Sequence, residues 1–174
     1  MLNEHLDSVS FRKMRGASHR QANKGGFEVC GAIIRNEAGV LELQPLTNLA
    51  SKPAKWLIEK QWLRDIRKRL KETGKRLVGT YHSHVGGFAY PSEKDLDYYP
   101  SAFLMMIYDT KERRVGMWKP LIRKGKGKLR AVAVTCDSPR WDKKDAGLYA
   151  SYLRMKFRTK EKRNAEPKKA LAHP

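Results

Sequence analysis

Four residues within a fourteen-residue stretch have the donor atoms of a metal site: His82, His84, Ser92 and Asp95. A fifth candidate, Glu28, lies upstream. Arg76–Tyr81 reads as a buried strand that runs into the histidines, and residues two apart on a strand point to the same face. His82 and His84 therefore project together, roughly 7 Å apart at the backbone, which is close enough for two imidazoles to bind one ion.

The segment after the histidines brings a carboxylate back toward them. The glycine-rich stretch Val85–Pro91 turns the chain, and the following residues are typical of a helix start, with Ser92 as the cap and Asp95 in the first turn. Two histidines and one carboxylate supply three protein ligands, which leaves the fourth tetrahedral position of zinc for water. The pattern therefore favours one catalytic zinc ion per chain.

Each residue also has an ordinary structural interpretation. Ser92 and Asp95 on their own are a common helix cap. The two histidines could be a polar strand end, and Glu28 could be an exposed loop carboxylate. Only the complete pattern favours the metal site over these alternatives.

Glu28, His82-Ser83-His84, Ser92 and Asp95 together resemble the signature of the JAMM, or MPN-plus, zinc metalloproteases. The resemblance spans roughly residues 8–150, because Phe27–Ile34 is also similar to the family's glutamate and glycine-containing apolar strand. One departure is visible: a proline commonly follows the second histidine in the family, whereas Val85 stands here. That change removes no chemical group.

The resemblance implies roles for these residues. His82, His84 and Asp95 would bind zinc, Glu28 would act as general acid and base, and Ser92 would stabilise the oxyanion. Enzymes of the family hydrolyse peptide or isopeptide bonds at the C-terminus of ubiquitin or ubiquitin-like proteins. Small bacterial members accompany ubiquitin-activating (E1-like) and ubiquitin-conjugating (E2-like) enzymes in antiviral operons or trim ubiquitin-like precursors, and other relatives serve phage tail assembly.

The remaining periodicity predicts a single α/β domain. Helices are expected at 9–22, Ala54–Lys71 and 143–163, and strands at Phe27–Ile34, Val40–Leu46, Ala102–Tyr108, Val115–Lys119 and Leu129–Cys136. A mixed sheet flanked by helices fits the three-layer, MPN and cytidine-deaminase-like fold that the resemblance implies. Residues 1–153 would form the metalloprotease domain and residues 154–174 a basic extension.

The aromatic residues divide into two groups. Trp56 and Trp62 are expected on the second helix and in the core, with Met105 and Met106 in a core strand. Phe88 and Tyr90 lie in the loop between the metal ligands, where they would line a groove for an extended substrate tail or simply pack the loop.

The charge balance supports a second hypothesis from another functional class. The 174 residues include 37 Lys and Arg against 18 Asp and Glu, a formal charge of +19, which attracts polyanions. A nucleic-acid-binding module on a repurposed MPN-like scaffold, similar to the RadC branch, would use this charge, although it would not explain the intact site. A solubilising basic surface is the simpler alternative.

Cysteine use and hydropathy bear on location. Cys30 and Cys136 lie in apolar contexts without a pairing pattern, which predicts buried, reduced thiols. The sequence has neither an apolar N-terminal run typical of a signal peptide nor a membrane-spanning stretch. We therefore expect a cytoplasmic protein that does not associate with membranes.

Overall fold

The computed structural model describes residues 3–92, 94–95, 103–123, 126–137 and 157–158. Within these ranges the chain forms a sheet and two helices. In chain order the elements are β1 (Asn3–Leu6), α1 (Ser8–Gly25), β2 (Cys30–Arg35), β3 (Leu41–Leu46), α2 (Lys60–Leu70), β4 (Arg76–His84), β5 (Leu104–Asp109), β6 (Arg114–Arg123), β7 (Lys126–Ala131), β8 (Ala133–Cys136) and β9 (Phe157–Arg158).

The sheet is mixed, with the order β8-β1-β3-β2-β4-β5-β6-β7-β9. Strands β1 and β3, β1 and β8, and β4 and β5 pair in parallel, and the other neighbours are antiparallel. The histidine-bearing strand β4 lies between β2 and β5. A strand inside a sheet is held on both sides, so its side chains are fixed more firmly than those of a loop.

The two faces of the sheet pack against different helices. Ile33 belongs to the hydrophobic cluster that includes Phe11 and Met14 of α1, whereas its neighbours Ala32 and Ile34 pack with Ile66 of α2. Because successive strand residues point to opposite faces, α1 and α2 cover opposite sides of the sheet. The expected α/β architecture, a mixed sheet between helices, is confirmed.

The ends of α1 follow the sequence signals. Asp7 caps its N-terminus by accepting a hydrogen bond from the N–H of Ser10, and Gly26 ends it in the left-handed conformation with a φ of 72°. The predicted helix at 9–22 is confirmed as α1. The predicted strand Val40–Leu46 is confirmed as β3, whereas the strand predicted at Phe27–Ile34 begins only at Cys30. Cys30 and Cys136 are buried thiols, as expected.

The predicted helix at Ala54–Lys71 is too long, because α2 begins only at Lys60. The side chain of Asn48 holds the preceding segment in an irregular conformation: its amide donates to the carbonyl of Lys55, and its oxygen accepts from the N–H of Leu57. Ala54 also has a positive φ of 51°. These contacts exclude Trp56 from the helix on which it was predicted.

Two other expectations need correction. The predicted strand Leu129–Cys136 is interrupted at Val132 and contributes to β7 and β8. Phe157 and Arg158, placed in a closing helix at 143–163, instead pair with β7 as β9, because pairing with an open sheet edge overrides local helical preference. The rest of that predicted helix lies outside the described residues, and the division at residue 153 stays a prediction.

Among the described residues, no helix is long and apolar enough to cross a membrane.

Candidate metal centre

The end of β4 brings two imidazoles and a carboxylate together. His82, His84 and Asp95 each offer one ligand atom, and these three atoms lie within 4.8 Å of one another. His82 Nε2 is 3.3 Å from Asp95 Oδ1, and His84 Nε2 is 3.5 Å from Asp95 Oδ2. His82 is fully buried and Asp95 is 5% exposed, whereas His84 is partly accessible.

The geometry fits a tetrahedral metal ion. The two Nε2 atoms are 3.0 Å apart, and zinc–nitrogen bonds of about 2.0–2.1 Å in a tetrahedron would separate two nitrogen ligands by about 3.3 Å. Two neutral imidazoles and a carboxylate are also a ligand set that catalytic zinc accepts.

His84 is oriented by the loop that follows it. Its Nδ1 is 2.9 Å from the carbonyl of Phe88, so Nδ1 donates and Nε2 is left to bind the ion. The loop is fixed to the sheet in turn, because the indole N–H of Trp118 donates to the carbonyl of Ala89 at 3.0 Å. A Cβ at Gly116 would collide with that carbonyl, so glycine allows the loop to approach.

Asp95 is held by a helix-start arrangement of reciprocal hydrogen bonds. The N–H and the hydroxyl of Ser92 donate to Asp95 Oδ2 at 2.7 and 2.6 Å. Burial alone would raise the pKa of Asp95, but its hydrogen bonds with His82 and His84 hold the pKa well below its usual range. Asp95 is therefore an anion, as a metal ligand must be.

The same carboxylate acts on the two histidines in different environments. Burial lowers the pKa of His82 despite its contact with Asp95. Burial also opposes protonation of His84, but the hydrogen bond and charge of Asp95, followed by Glu28, raise its pKa overall. Asp95 therefore favours protonation of His84, whereas burial favours the neutral form of His82.

Trp56 also belongs to the centre, although the sequence predicted it on the second helix and in the hydrophobic core. Its indole stacks on His82 with 4.6 Å between ring centroids and an angle of 18°. Its Nε1–H donates to Asp95 Oδ1 at 2.8 Å. One side chain thus contacts two of the three ligands. Among the described residues His82 Nδ1 has no hydrogen-bond partner, so the stacked indole of Trp56 helps to fix the orientation of the ring. No local sequence signal indicates this role, because the conformation of the segment around Trp56 depends on hydrogen bonds from the distant Asn48.

Glu28 reaches the centre through strand register. Cys30 is opposite His82 in the antiparallel pair of β2 and β4, and the pairing continues because Ser83 N–H donates to the carbonyl of Val29. Glu28 therefore comes opposite His84. Ser83 faces away from the ligands, and its hydroxyl accepts from the N–H of Val29 at 2.9 Å.

The environment of Glu28 suits proton transfer near neutral pH. The residue is 6% exposed, and burial raises its pKa to about 7, with His84 opposing and Asp95 adding to the shift. A carboxyl group with a pKa near the working pH can both accept and return a proton. The alternative that Glu28 is an exposed loop carboxylate is wrong, because the residue is buried.

The loop aromatics remain accessible. Phe88 and Tyr90 stack on each other with centroids 5.0 Å apart, and Phe88 is 54% exposed. Phe88 is exposed and Tyr90 is partly buried, so lining a groove and packing the loop both remain open as interpretations.

Comparisons with known proteins identify the family and the fold. A family model described as "Prokaryotic homologs of the JAB domain" matches residues 11–120. The solution structure of protein DSY2949 from Desulfitobacterium hafniense is similar in fold, with a TM-score of 0.58 and 24% sequence identity over 80% of this chain and 96% of that one. A search of the curated proteins gave no match. The resemblance drawn from the sequence is thereby confirmed, and the chain belongs to the prokaryotic homologs of the JAB domain.

Proposed function

We propose that this chain is a zinc-dependent peptidase or isopeptidase that hydrolyses the bond after the C-terminus of a ubiquitin-like protein. The observation that carries the proposal is the convergence of His82, His84 and Asp95 beside the buried Glu28. Family membership supports a hydrolase of this type. Within the proposal the substrate is either a conjugate or a precursor of the modifier.

His82, His84 and Asp95 would hold the zinc ion, which when bound would polarise a water molecule and the scissile carbonyl. Glu28 would accept a proton from the attacking water and return it to the departing amine. The raised pKa of Glu28 supports both steps, because a weakly acidic carboxyl group takes and gives a proton near neutral pH.

Ser92 has a structural task as well as the proposed catalytic one. Its hydroxyl donates to Asp95 in this structure, so it must rotate toward the substrate to stabilise negative charge on the carbonyl oxygen. Replacing Ser92 would therefore affect both metal binding and transition-state stabilisation, and Glu28 is the cleaner residue for a test of chemistry.

The experiment uses ubiquitin and bacterial ubiquitin-like proteins fused through their C-termini to a reporter protein. The zinc-loaded chain should cleave at least one fusion, lose activity in chelator and recover it with zinc. Glu28→Gln should lose at least about a hundredfold in kcat/KM while binding one zinc ion. His82→Ala should lose the zinc.

A matched control is Glu37→Gln, which makes the same change at an exposed turn residue and should leave cleavage intact. An active Glu28→Gln protein, or cleavage that continues in chelator, would contradict the mechanism. Failure on every fusion, with zinc bound, would contradict the substrate class.

The wider biological setting is part of the same proposal. E1-like and E2-like enzymes of a bacterial conjugation or antiviral system are the proposed partners, and a cytoplasmic location is consistent with two buried thiols. A phage tail-assembly peptidase is the alternative within the enzyme class.

Nucleic-acid binding is the second candidate function. It is favoured by the exposed basic residues of α2, which include Arg64, Lys68 and Arg69. Binding of this kind depends on phosphate contacts and weakens steeply with salt. It would not need zinc, so chelator separates it from the peptidase.

A further inference from the structure

A cleft of about 620 Å³ lies between α1 and β3, and its wall includes Glu28. Its other lining residues include Met14 and Tyr81, which belong to the hydrophobic cluster that packs between α1 and the sheet. The three metal ligands are not part of its wall. The cleft is thus a separate feature that extends from the segment of the proposed proton acceptor, and its volume is in the usual range for ligand sites.

Leu43 and Pro45 line the cleft from the edge of β3 that faces away from β2. On the side away from β2, the carbonyl of Leu41 accepts from Asp7, and the N–H of Leu43 donates to the hydroxyl of Ser10. Alternate residues of a strand repeat this orientation, so Pro45 also faces the cleft, and proline has no N–H. Backbone carbonyls at such an edge can accept hydrogen bonds from the N–H groups of an extended peptide.

The opposite wall of the cleft is basic. Lys13 and Arg20 of α1 are exposed and line the cleft, with the small residue Ala17 between them. The two cations are two helical turns apart, about 10 Å along the helix axis, a distance that about three extended residues cover. Glu28 is the one acidic residue among the described residues that line the cleft.

We propose that this cleft binds an extended, acidic segment of the substrate polypeptide and selects such segments by charge. The inference rests on the proposed function, because the cleft adjoins the catalytic segment at Glu28. Carbonyls of β3 bind the backbone of the segment, and Lys13 and Arg20 bind its carboxylates.

The test measures binding rather than turnover, so it is readable whether or not the proposed activity is found. A fluorescent peptide with two glutamates three residues apart is compared with its glutamine isostere by anisotropy on the full chain. The acidic peptide should bind about tenfold more tightly at low salt, in chelator as well as in zinc. The double variant Lys13→Glu with Arg20→Glu should abolish the difference.

Two further variants separate the cleft from the overall positive charge. Arg12→Glu with Lys24→Glu makes the same charge change at exposed positions of α1 that do not line the cleft, and it should retain most of the preference. Ala17→Phe should fill the cleft and weaken both peptides without changing charge. Circular dichroism verifies that each variant is folded.

The inference is overturned if the two peptides bind equally, or if the control pair loses as much preference as the cleft pair. Cleavage of fusions together with such a result would leave the peptidase standing and remove only the cleft. Preference for the acidic peptide without cleavage of any fusion would support the cleft and count against the peptidase.

Discussion

At the scale of single residues, the centre depends on side chains that do not bind the ion. Trp56 stacks on one ligand and donates to another. Residues that orient metal ligands in this way contribute substantially to affinity. The indole holds the ring of His82 and the carboxylate of Asp95 in a fixed arrangement.

We expect Trp56→Phe to lower zinc affinity about tenfold, because the ring contact with His82 is kept and the hydrogen bond to Asp95 is lost. Trp56→Leu should lower it further. Affinity is measured by competition with a chromophoric chelator. Trp62→Phe makes the same change on α2 and should have no effect on zinc; an equal loss there would indicate a general effect on folding.

Zinc binding should also depend on pH through His84. Because contacts with Asp95 raise its pKa, His84 holds its proton to a higher pH than a free histidine, and zinc must displace that proton. Affinity should therefore fall as pH is lowered through this pKa, with release of about one proton per zinc ion. Calorimetry in buffers of different ionisation enthalpy counts the protons. A count near zero at mildly acidic pH would contradict the assignment.

At the scale of elements, the orientation of the candidate metal ligands depends on a loop as well as on the strands. The strand β4 fixes where the histidines point, but the loop at 85–91 fixes the tautomer of His84 through Phe88. That loop is fastened to the sheet at Gly116 and Trp118. A change far from the ligands in sequence can therefore reach them.

Gly116→Ala should push the loop away from β6, because the new Cβ would overlap the carbonyl of Ala89. We expect a loss of zinc affinity and a destabilisation of about 1–3 kcal/mol, measured by chelator competition and urea unfolding. The control is Gly86→Ala in the same loop, where an added Cβ meets nothing within 4 Å. Equal effects of the two substitutions would refute this account.

The sequence could predict elements whose signals are local. The buried strand at Arg76–Tyr81 indicated β4, residues two apart on it indicated the shared face of the histidines, and Ser92 with Asp95 indicated a helix cap. The start of α2 could not be predicted, because it depends on hydrogen bonds from the distant Asn48. The short strand β1, with few apolar residues, was missed because it is stabilised by parallel pairing with β8 at the other end of the chain.

The same distinction applies to the candidate site. His82, His84 and Asp95 are close in sequence, so their convergence could be argued from strand and helix geometry. Glu28 could be selected only by family resemblance, because its position opposite His84 depends on the register of β2 and β4. Trp56 was placed in the wrong element, and its contacts therefore could not be foreseen.

At the scale of the whole molecule, the formal charge of +19 affects every encounter with a polyanion. Exposed cations lie on α1 and on α2, which cover opposite sides of the sheet. Part of any nucleic-acid binding must then be unspecific. The question is whether α2 adds a local contribution.

We expect Arg64→Glu with Lys68→Glu, one turn apart on α2, to weaken binding of a mixed-sequence DNA duplex and to flatten its salt dependence. The control pair Lys52→Glu with Lys111→Glu makes the same charge change at exposed loop positions. Fluorescence anisotropy across a salt series measures both. If the pairs behave alike, the field of the whole molecule explains the binding.

The hydrogen bond between Ser83 and Val29 links the segment of Glu28 to the strand of the two histidines. Ser83 separates the two histidines in sequence, and on the reverse face of β4 its hydroxyl accepts from the N–H of Val29, immediately after Glu28. The two histidines and Glu28 are therefore positioned by the same pairing of β2 with β4, so one strand register sets the place of all three. A change in the geometry of the centre is therefore expected to come through the loop that leads to Asp95, because this carboxylate lies outside the paired strands.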